Sequence, residues 1–183
     1  DVGGVKVNLR SPGDVRDAVQ EPVILFREGH PEVAYELDMP QAPVSGMFDR
    51  RLISQAVTNL VKNATEAVEA PPAEGSEKHK GRVRVALKAH EDRCEIEVAD
   101  NGCGLPKQNR ARLLEPYVTT KGHKGTGLGL AIVQKITEQH GGALTLEDAP
   151  KAEDWPSGAL IRITLPLRHA EAFPGKDDAA RDI

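Results

Sequence analysis

Aromatic residues are scarce in this chain: three Phe, two Tyr and one Trp in 183 residues. A core built from so few rings must consist mainly of Val, Leu, Ile and Ala. Cysteine is scarcer still. Cys94 and Cys103 have neither metal-ligand spacing nor a disulfide framework, so a reducing compartment is the simpler expectation. Uninterrupted apolar runs are short, as at Val23-Ile24-Leu25-Phe26, far from the ~20 residues a membrane-spanning helix needs. No signal peptide opens the chain, and a start at Asp1 instead of Met suggests a piece of something longer. Excess positive charge is lacking as well. The formal net charge is −4, which argues against a general nucleic-acid binder, normally a basic protein.

What is present suits one globular domain with tails. The hydrophobic fraction is 39%, before 17 glycines are counted, and a chain of this length buries roughly 70% of its unfolded surface without a metal or disulfide. Charge is unevenly spread. Residues 105–127 carry Lys107, Arg110, Arg112, Lys121 and Lys124 against Glu115 alone, a local +4 that leaves −8 for the rest. A basic, glycine-rich stretch on an acidic protein points either to a small anionic ligand or to a solvated lysine-rich loop.

Periodicity gives the element order. Residues 1–13 read as a lead-in. Asp14 can cap a helix with Val15, Ala18, Val19, Val23 and Phe26 at helical spacing, and Pro22 should kink or shorten it. Val33, Tyr35 and Leu37 alternate as a half-buried strand, and Met39 to Ser45 is a connection. Asp49 caps the longest helix, whose apolar stripe runs from Leu52 and Ile53 to Ala67 and Val68 before Pro71-Pro72 stops it. A polar loop over 70–81 precedes a hairpin of Val83–Ala89 and Cys94–Val98, turning at His90-Glu91-Asp92. A short helix over ~107–115, a loop, a helix ending near His140 before Gly141-Gly142, and strands at Leu144–Glu147 and Ala159–Leu167 complete the order. The loop between those last strands contains Pro150 and Trp155-Pro156, and residues 168–183 read as a charged tail. The pattern predicts an α+β fold: one mixed, mostly antiparallel sheet with helices on one face.

Three groups of residues could carry chemistry. Asn59 and Asn63 lie one turn apart on the long helix, and a carboxamide oxygen is a hard ligand suited to Mg²⁺; two exposed or capping asparagines are the plainer reading. Asp100, at a strand end, precedes Gly102 and Gly104; its carboxylate could accept from an exocyclic amine, or the segment could be an ordinary Asp-Asn-Gly turn. Gly125, Gly127 and Gly129 open a helix, where free N–H groups and the macrodipole favour phosphate. Their G-x-G-x-G spacing, with no preceding parallel βαβ unit, speaks against a Rossmann dinucleotide site.

Taken in order, these groups resemble the ATP-binding domain of sensor histidine kinases, in the superfamily that also holds gyrase, Hsp90 and MutL. Asn59-Leu60-Val61-Lys62-Asn63-Ala64-Thr65-Glu66-Ala67 is similar to the N box, and Asp100-Asn101-Gly102-Cys103-Gly104-Leu105 to the G1 box. Leu114-Glu115-Pro116-Tyr117 stands where the F box belongs, with Leu114 and Tyr117 where phenylalanines are frequent, and Gly125–Leu130 is similar to the G2 box. The run from Glu115 to Lys121, then Lys124 to Lys135, resembles nitrogen-regulation sensor kinases of the NtrY type. The resemblance covers roughly residues 14–167, between the lead-in 1–13 and the tail 168–183.

The resemblance implies a two-layer α/β sandwich of the Bergerat kind, binding ATP and Mg²⁺. It implies that Asn63 coordinates the Mg²⁺ with Asn59 nearby, while Lys62 reaches either a phosphate or solvent. Asp100 would accept the adenine amino group, and Gly102 and Gly104 would line the base pocket. Residues ~106–126 would form an ATP lid, with Lys121, Lys124 and Thr126 as phosphate contacts and Gly125, Gly127, Leu128 and Gly129 at the phosphate-binding turn. Asn63 and Lys121 would be the residues acting on the transferred group. In the gyrase, Hsp90 and MutL branches a glutamate one turn before the Mg²⁺ asparagine activates water; here that position is Asn59, and an amide is no base. Phosphoryl transfer is therefore expected, not rapid hydrolysis.

Of the six histidines, only His90 precedes an acid, and it lies at a turn, so none is expected to be the phosphoacceptor. The implied partners are an upstream histidine-bearing dimerisation domain, in a parent kinase that is a homodimer, and a response regulator. No nucleic acid or membrane contact is expected of this piece, and the implied location is cytoplasmic, with the parent either free or anchored in the inner membrane. Two other readings stay open: a stand-alone serine/threonine kinase like the anti-sigma-factor kinases, and a non-catalytic nucleotide-sensing module.

Overall fold

A computed structural model describes residues 9–72, 74–75, 77–118, 129–153 and 155–167. Its elements are β1 (Ser11–Asp14), α1 (Val15–Gly29), β2 (Ala34–Asp38), β3 (Ser45–Phe48), α2 (Arg50–Glu69), β4 (Arg82–Ala89) and β5 (Arg93–Asp100). A short 3-10 helix (Arg110–Leu114), α3 (Gly129–Gln139), β6 (Ala143–Asp148) and β7 (Ala159–Pro166) follow. The main sheet has the order β2-β4-β5-β7-β6, with β2 parallel to β4 and every other pair antiparallel. This is the mixed, mostly antiparallel α+β sandwich that the sequence predicts.

Strand alternation decides which face the helices cover. Val83, Val85 and Leu87 of β4, Cys94, Ile96 and Val98 of β5, and Ile161, Ile163 and Leu165 of β7 share one buried cluster with Val15, Val19 and Val23 of α1, Ile53, Val57, Leu60 and Val61 of α2, and Val133 and Ile136 of α3. Aliphatic side chains fill it, as the shortage of rings requires; each large one fully buried is worth about 1.5–3 kcal/mol. Cys94 packs there as a small apolar residue, its thiol pushed up to about 12 by burial. The opposite face is covered by charge. Glu97 takes Lys88 and Arg162, Arg162 also reaches Glu147, and Glu36 holds Arg82 and Arg84.

Both expected caps form: Asp14 accepts from the N–H of Arg16, and Asp49 from the N–H of Leu52. Two local expectations need correction. Of the two effects expected of Pro22, shortening does not occur: α1 runs through it to Gly29, with Pro22 buried on the core side, so packing outweighs the missing N–H. The lead-in, read as residues 1–13, and the segment just after the connection Met39 to Ser45 hold two strands that the pattern does not predict: Ser11–Asp14 and Ser45–Phe48 pair as a two-stranded antiparallel sheet. Pro12, Gly13 and Gly46 erase the alternation that would have marked it.

A further contact, which periodicity does not announce, involves His140. A cation at a helix end suits the dipole, yet this imidazole is buried and neutral. Its Nδ1–H donates to the Ile136 carbonyl at 2.8 Å while Nε2 accepts the N–H of Asp49 at 3.0 Å. It thereby staples the end of α3 to the start of α2. Burial is the main cause that lowers its pKa, with Arg10 adding to it, against the opposing effects of the Ile136 carbonyl and Asp49.

A folded-state value below the ordinary 6.5 means that the unfolded chain takes up the proton first. This contribution to stability is intact above that value and is lost as pH falls through the lower folded-state value. Urea-denaturation midpoints should therefore drop from pH 7.5 towards pH 5.5. In His140→Ala the drop should shrink, from a baseline lowered by about 1–3 kcal/mol; equal pH slopes in the two proteins would refute the neutral staple.

Candidate nucleotide site

The helices α2 and α3 run antiparallel. The His140–Asp49 bond fixes one end of their seam, and at the other end Gly129, first residue of α3, faces Asn63. A Cβ placed on Gly129 would stand 3.5 Å from Nδ2 and 3.6 Å from Oδ1 of Asn63, so the Asn63 carboxamide lies against the N-terminus of α3. One turn earlier, Asn59 carries a buried Nδ2 with no hydrogen-bond partner among the described residues. Lys62, between them, is exposed. Thus the two asparagines share the seam and the lysine points to solvent.

Asp100 ends β5 and is only 5% exposed. Its Oδ1 accepts the N–H of Gly102 at 2.9 Å, which closes an Asx turn. Asn101 ties the loop back to β4: its Oδ1 accepts from Arg82 N–H at 2.8 Å and its Nδ2 donates to the Lys80 carbonyl at 2.9 Å. Gly102 then passes so close to α2 that an added Cβ would lie 2.6 Å from the Ala67 carbonyl oxygen. Gly104 has a φ of +80°, a left-handed conformation that glycine adopts at little cost. These contacts bring the loop after β5 against the same helix that carries Asn63.

Beyond the loop, Arg110 of the 3-10 helix donates to the Pro106 carbonyl at 2.8 Å and to Asp148 at 2.5 Å. Tyr117 follows with a φ of +67° and is largely exposed. Lys121, Lys124, Gly125, Thr126, Gly127 and Leu128 lie outside the described residues. Sequence reasoning missed the contribution of the β6–β7 connection: Trp155 and Ser157 both donate to this loop. The signal available was a lone tryptophan in a segment that had no periodicity to explain it.

Among the described histidines, His140 has both nitrogens engaged within the core and His30 pairs with Glu69 and stacks on Phe26. His90 pairs with Glu95 at the hairpin turn, and His79 is exposed. His140 is the one of these four that lies in the seam, at the end away from Asn63. The cluster of His30, Glu32 and Glu69, whose ligand atoms fall within 4.8 Å of one another, lies at the end of α2 beyond Asn63.

Residues 48–169, more than half of the chain, match the family described as histidine kinase-, DNA gyrase B-, and HSP90-like ATPase. The chain belongs to that family. ATP use comes with membership, and the seam and loop just described are elements of its ATPase domain. The chain is 48% identical over 161 residues to the nitrogen regulation protein NtrY of Azorhizobium caulinodans, covering 88% of this chain and 20% of that protein. It is also similar to the mycobacterial sensor histidine kinase MprB, with a TM-score of 0.72 at 30% identity, covering 87% of this chain and 99% of that one. Full-length ShkA, solved in complex with AMPPNP, aligns with a TM-score of 0.71 at 25% identity over 89% of this chain and 32% of its own. The chain thus spans about a fifth of the length of NtrY.

The donor set of this family domain fits a nucleotide-borne Mg²⁺. Asn63 offers one hard amide oxygen, which suits an ion that keeps waters and phosphate oxygens, and the orphan Asn59 N–H is a donor suited to an anion. The tight Gly102 passage gives a stability test. Gly102→Ala should cost about 1–3 kcal/mol in urea denaturation, because the clash is with backbone. Gly29→Ala, where a Cβ meets nothing within 4 Å, should be neutral or gain about 0.4–1 kcal/mol. Equal stabilities for the two variants would contradict the close approach.

Proposed function

We propose that this chain is the catalytic and ATP-binding domain of a two-component sensor histidine kinase of the nitrogen-regulation kind. It holds Mg-ATP for transfer of the γ-phosphoryl group to a histidine on a separate dimerisation hairpin. The observation that carries the reading is the Asn63 carboxamide against the N-terminus of α3, facing the same seam as Asn59. A helix N-terminus attracts phosphate through its free N–H groups and dipole, and an amide oxygen beside it is where a phosphate-bound Mg²⁺ needs a ligand.

Each residue then has a task. Asn63 ligates Mg²⁺, which supplies charge neutralisation and alignment of the phosphates, and Asn59 donates a hydrogen bond to the phosphate region. Asp100 accepts from the adenine amino group, with Gly102 and Gly104 giving the ring room to approach backbone. Gly129 opens the turn for the phosphates with Gly125, Thr126, Gly127 and Leu128, while Lys121 and Lys124 add positive charge. Phosphoryl transfer asks chiefly for such positioning and electrostatics. Asn59 stands where hydrolytic relatives need a base, so bound ATP waits for an acceptor.

The fold proper spans about residues 14–167, with β1 extending it slightly upstream. Among the described residues no helix is long and apolar enough to cross a membrane; the proposed location of the domain is the cytoplasm. A homodimeric parent would supply the hairpin, and a response regulator would take the phosphoryl group.

Calorimetric titration with Mg-ATP should show binding, weakened about ten- to a hundredfold in both Asn63→Ala and Asp100→Ala, the loss expected for a hydrogen bond or ligand involving charge. Labelled ATP, given with a separately made NtrY-type hairpin, should transfer label to histidine. Unchanged binding in both variants would overturn the site; label on serine of a partner, or on no acceptor despite tight binding, would overturn the kinase assignment.

A further inference from the structure

The described residues of the connection between β6 and β7, 149–153 and 155–158, fold back over the helix-free face of the sheet. Trp155, the chain's single tryptophan, is 5% exposed there and packs with Ala99, Ala149 and Leu160. The guanidinium groups of Arg82 and Arg84 lie over its ring at 5.2 and 5.1 Å, and both are held by Glu36. Packing and cation–π contact therefore fix the indole plane. Its Nε1–H donates to the carbonyl of Asp100 at 3.0 Å, one residue past the last β5–β7 pair, Ala99 with Leu160.

Two residues on, the Ser157 hydroxyl donates to the Gly102 carbonyl at 2.8 Å. Gly158, with a φ of +137°, passes so near that an added Cβ would lie 1.7 Å from the Asp100 carbonyl oxygen. The connection thus grips the two carbonyls that flank the Asx turn of Asp100. Asn101 holds the same turn from the β4 side, its N–H on the Arg82 carbonyl and its side chain on Arg82 and Lys80, so releasing either carbonyl loosens the turn on the β6–β7 side and lets the carboxylate bonded to the Gly102 N–H shift.

We propose that Trp155 and Ser157 are positioning residues for the nucleotide base: they set the direction of the Asp100 carboxylate from outside the pocket, without touching the ligand. This rests on the assignment of Asp100 as the adenine acceptor. The β6–β7 connection then determines both affinity for adenine nucleotides and discrimination against guanine, which presents a carbonyl where adenine presents an amino group.

The test is calorimetric titration of the whole chain with Mg-ADP and with Mg-GDP, on the wild type, Trp155→Phe and Ser157→Ala, alongside thermal melts. Trp155→Phe keeps an aromatic ring under the two arginines and removes the N–H. ADP affinity should fall about five- to tenfold and GDP affinity much less, so that the ADP:GDP ratio narrows. Ser157→Ala, which leaves the packed cluster alone, should narrow it about threefold and carries the test by itself if Trp155→Phe does not fold. A purely structural role would lower the melting temperature and weaken both nucleotides alike; that result, or unchanged affinities and ratio, overturns the proposal while leaving the Asp100 assignment standing. A wild type that binds GDP as well as ADP, or neither, overturns the Asp100 assignment and the proposal with it.

Discussion

The loop that leaves β5 is held between two surfaces that belong to different layers of the fold. On the helical side Gly102 runs within a Cβ's reach of the Ala67 carbonyl at the end of α2. On the helix-free side Trp155 and Ser157 grip the carbonyls of Asp100 and Gly102. A loop so confined cannot trade its backbone path for side-chain volume, and this explains why glycine stands at 102 and at 158. Confinement also has a chemical use. A carboxylate whose backbone is fixed on both sides needs little reorganisation to meet a ligand, and preorganised polar groups lose less on binding than mobile ones.

The same economy shapes the seam between α2 and α3. At one end a neutral imidazole joins the two helices through both of its nitrogens; at the other, Asn63 stands against Gly129. Between those ends the seam is packed by Val133 and Ile136 against α2. The helix α2 is therefore indexed against α3 by a buried polar bond far from the pocket. A shift of either helix along the other would break that bond and move Asn63 relative to the turn that begins α3. Stability at the His140 end and geometry at the Asn63 end are two consequences of one register.

Those parts of the architecture that repeat were legible in the sequence. Val83, Val85 and Leu87 alternate, α2 shows a continuous apolar stripe, and Asp14 and Asp49 announce their helices by capping chemistry that acts over three residues. In the site, Asn63, Asp100 and Gly129 were legible because their spacing resembles known motifs. What failed depended on partners distant in sequence. The pairing of Ser11–Asp14 with Ser45–Phe48 has too few side chains of contrasting polarity to leave a pattern. Whether Pro22 ends a helix is decided by the core it enters. The burial of His140 comes with a bond to an amide 91 positions away, and the indole of Trp155 serves a carbonyl 55 positions back. No local rule contains such information.

The contrast between Asn59 and the glutamate of hydrolytic relatives gives the arrangement its direction. A carboxylate at that position could take a proton from water; an amide can only donate or accept a hydrogen bond, and here its buried N–H has no partner among the described residues. Such a group is costly to leave unmet and favours whatever brings an acceptor oxygen, as a phosphate does, without activating a nucleophile against it. Binding energy at the seam is then spent on holding the donor and not on consuming it. Of the described histidines, His140 is tied into the core, His90 at a hairpin turn and His30 at the end of α2, while His79 is exposed in the loop before β4. Under the proposed function such a domain would gain specificity by delegation: the loop after β5 would select the nucleotide, while the choice of acceptor would be left to whichever surface docks beside it.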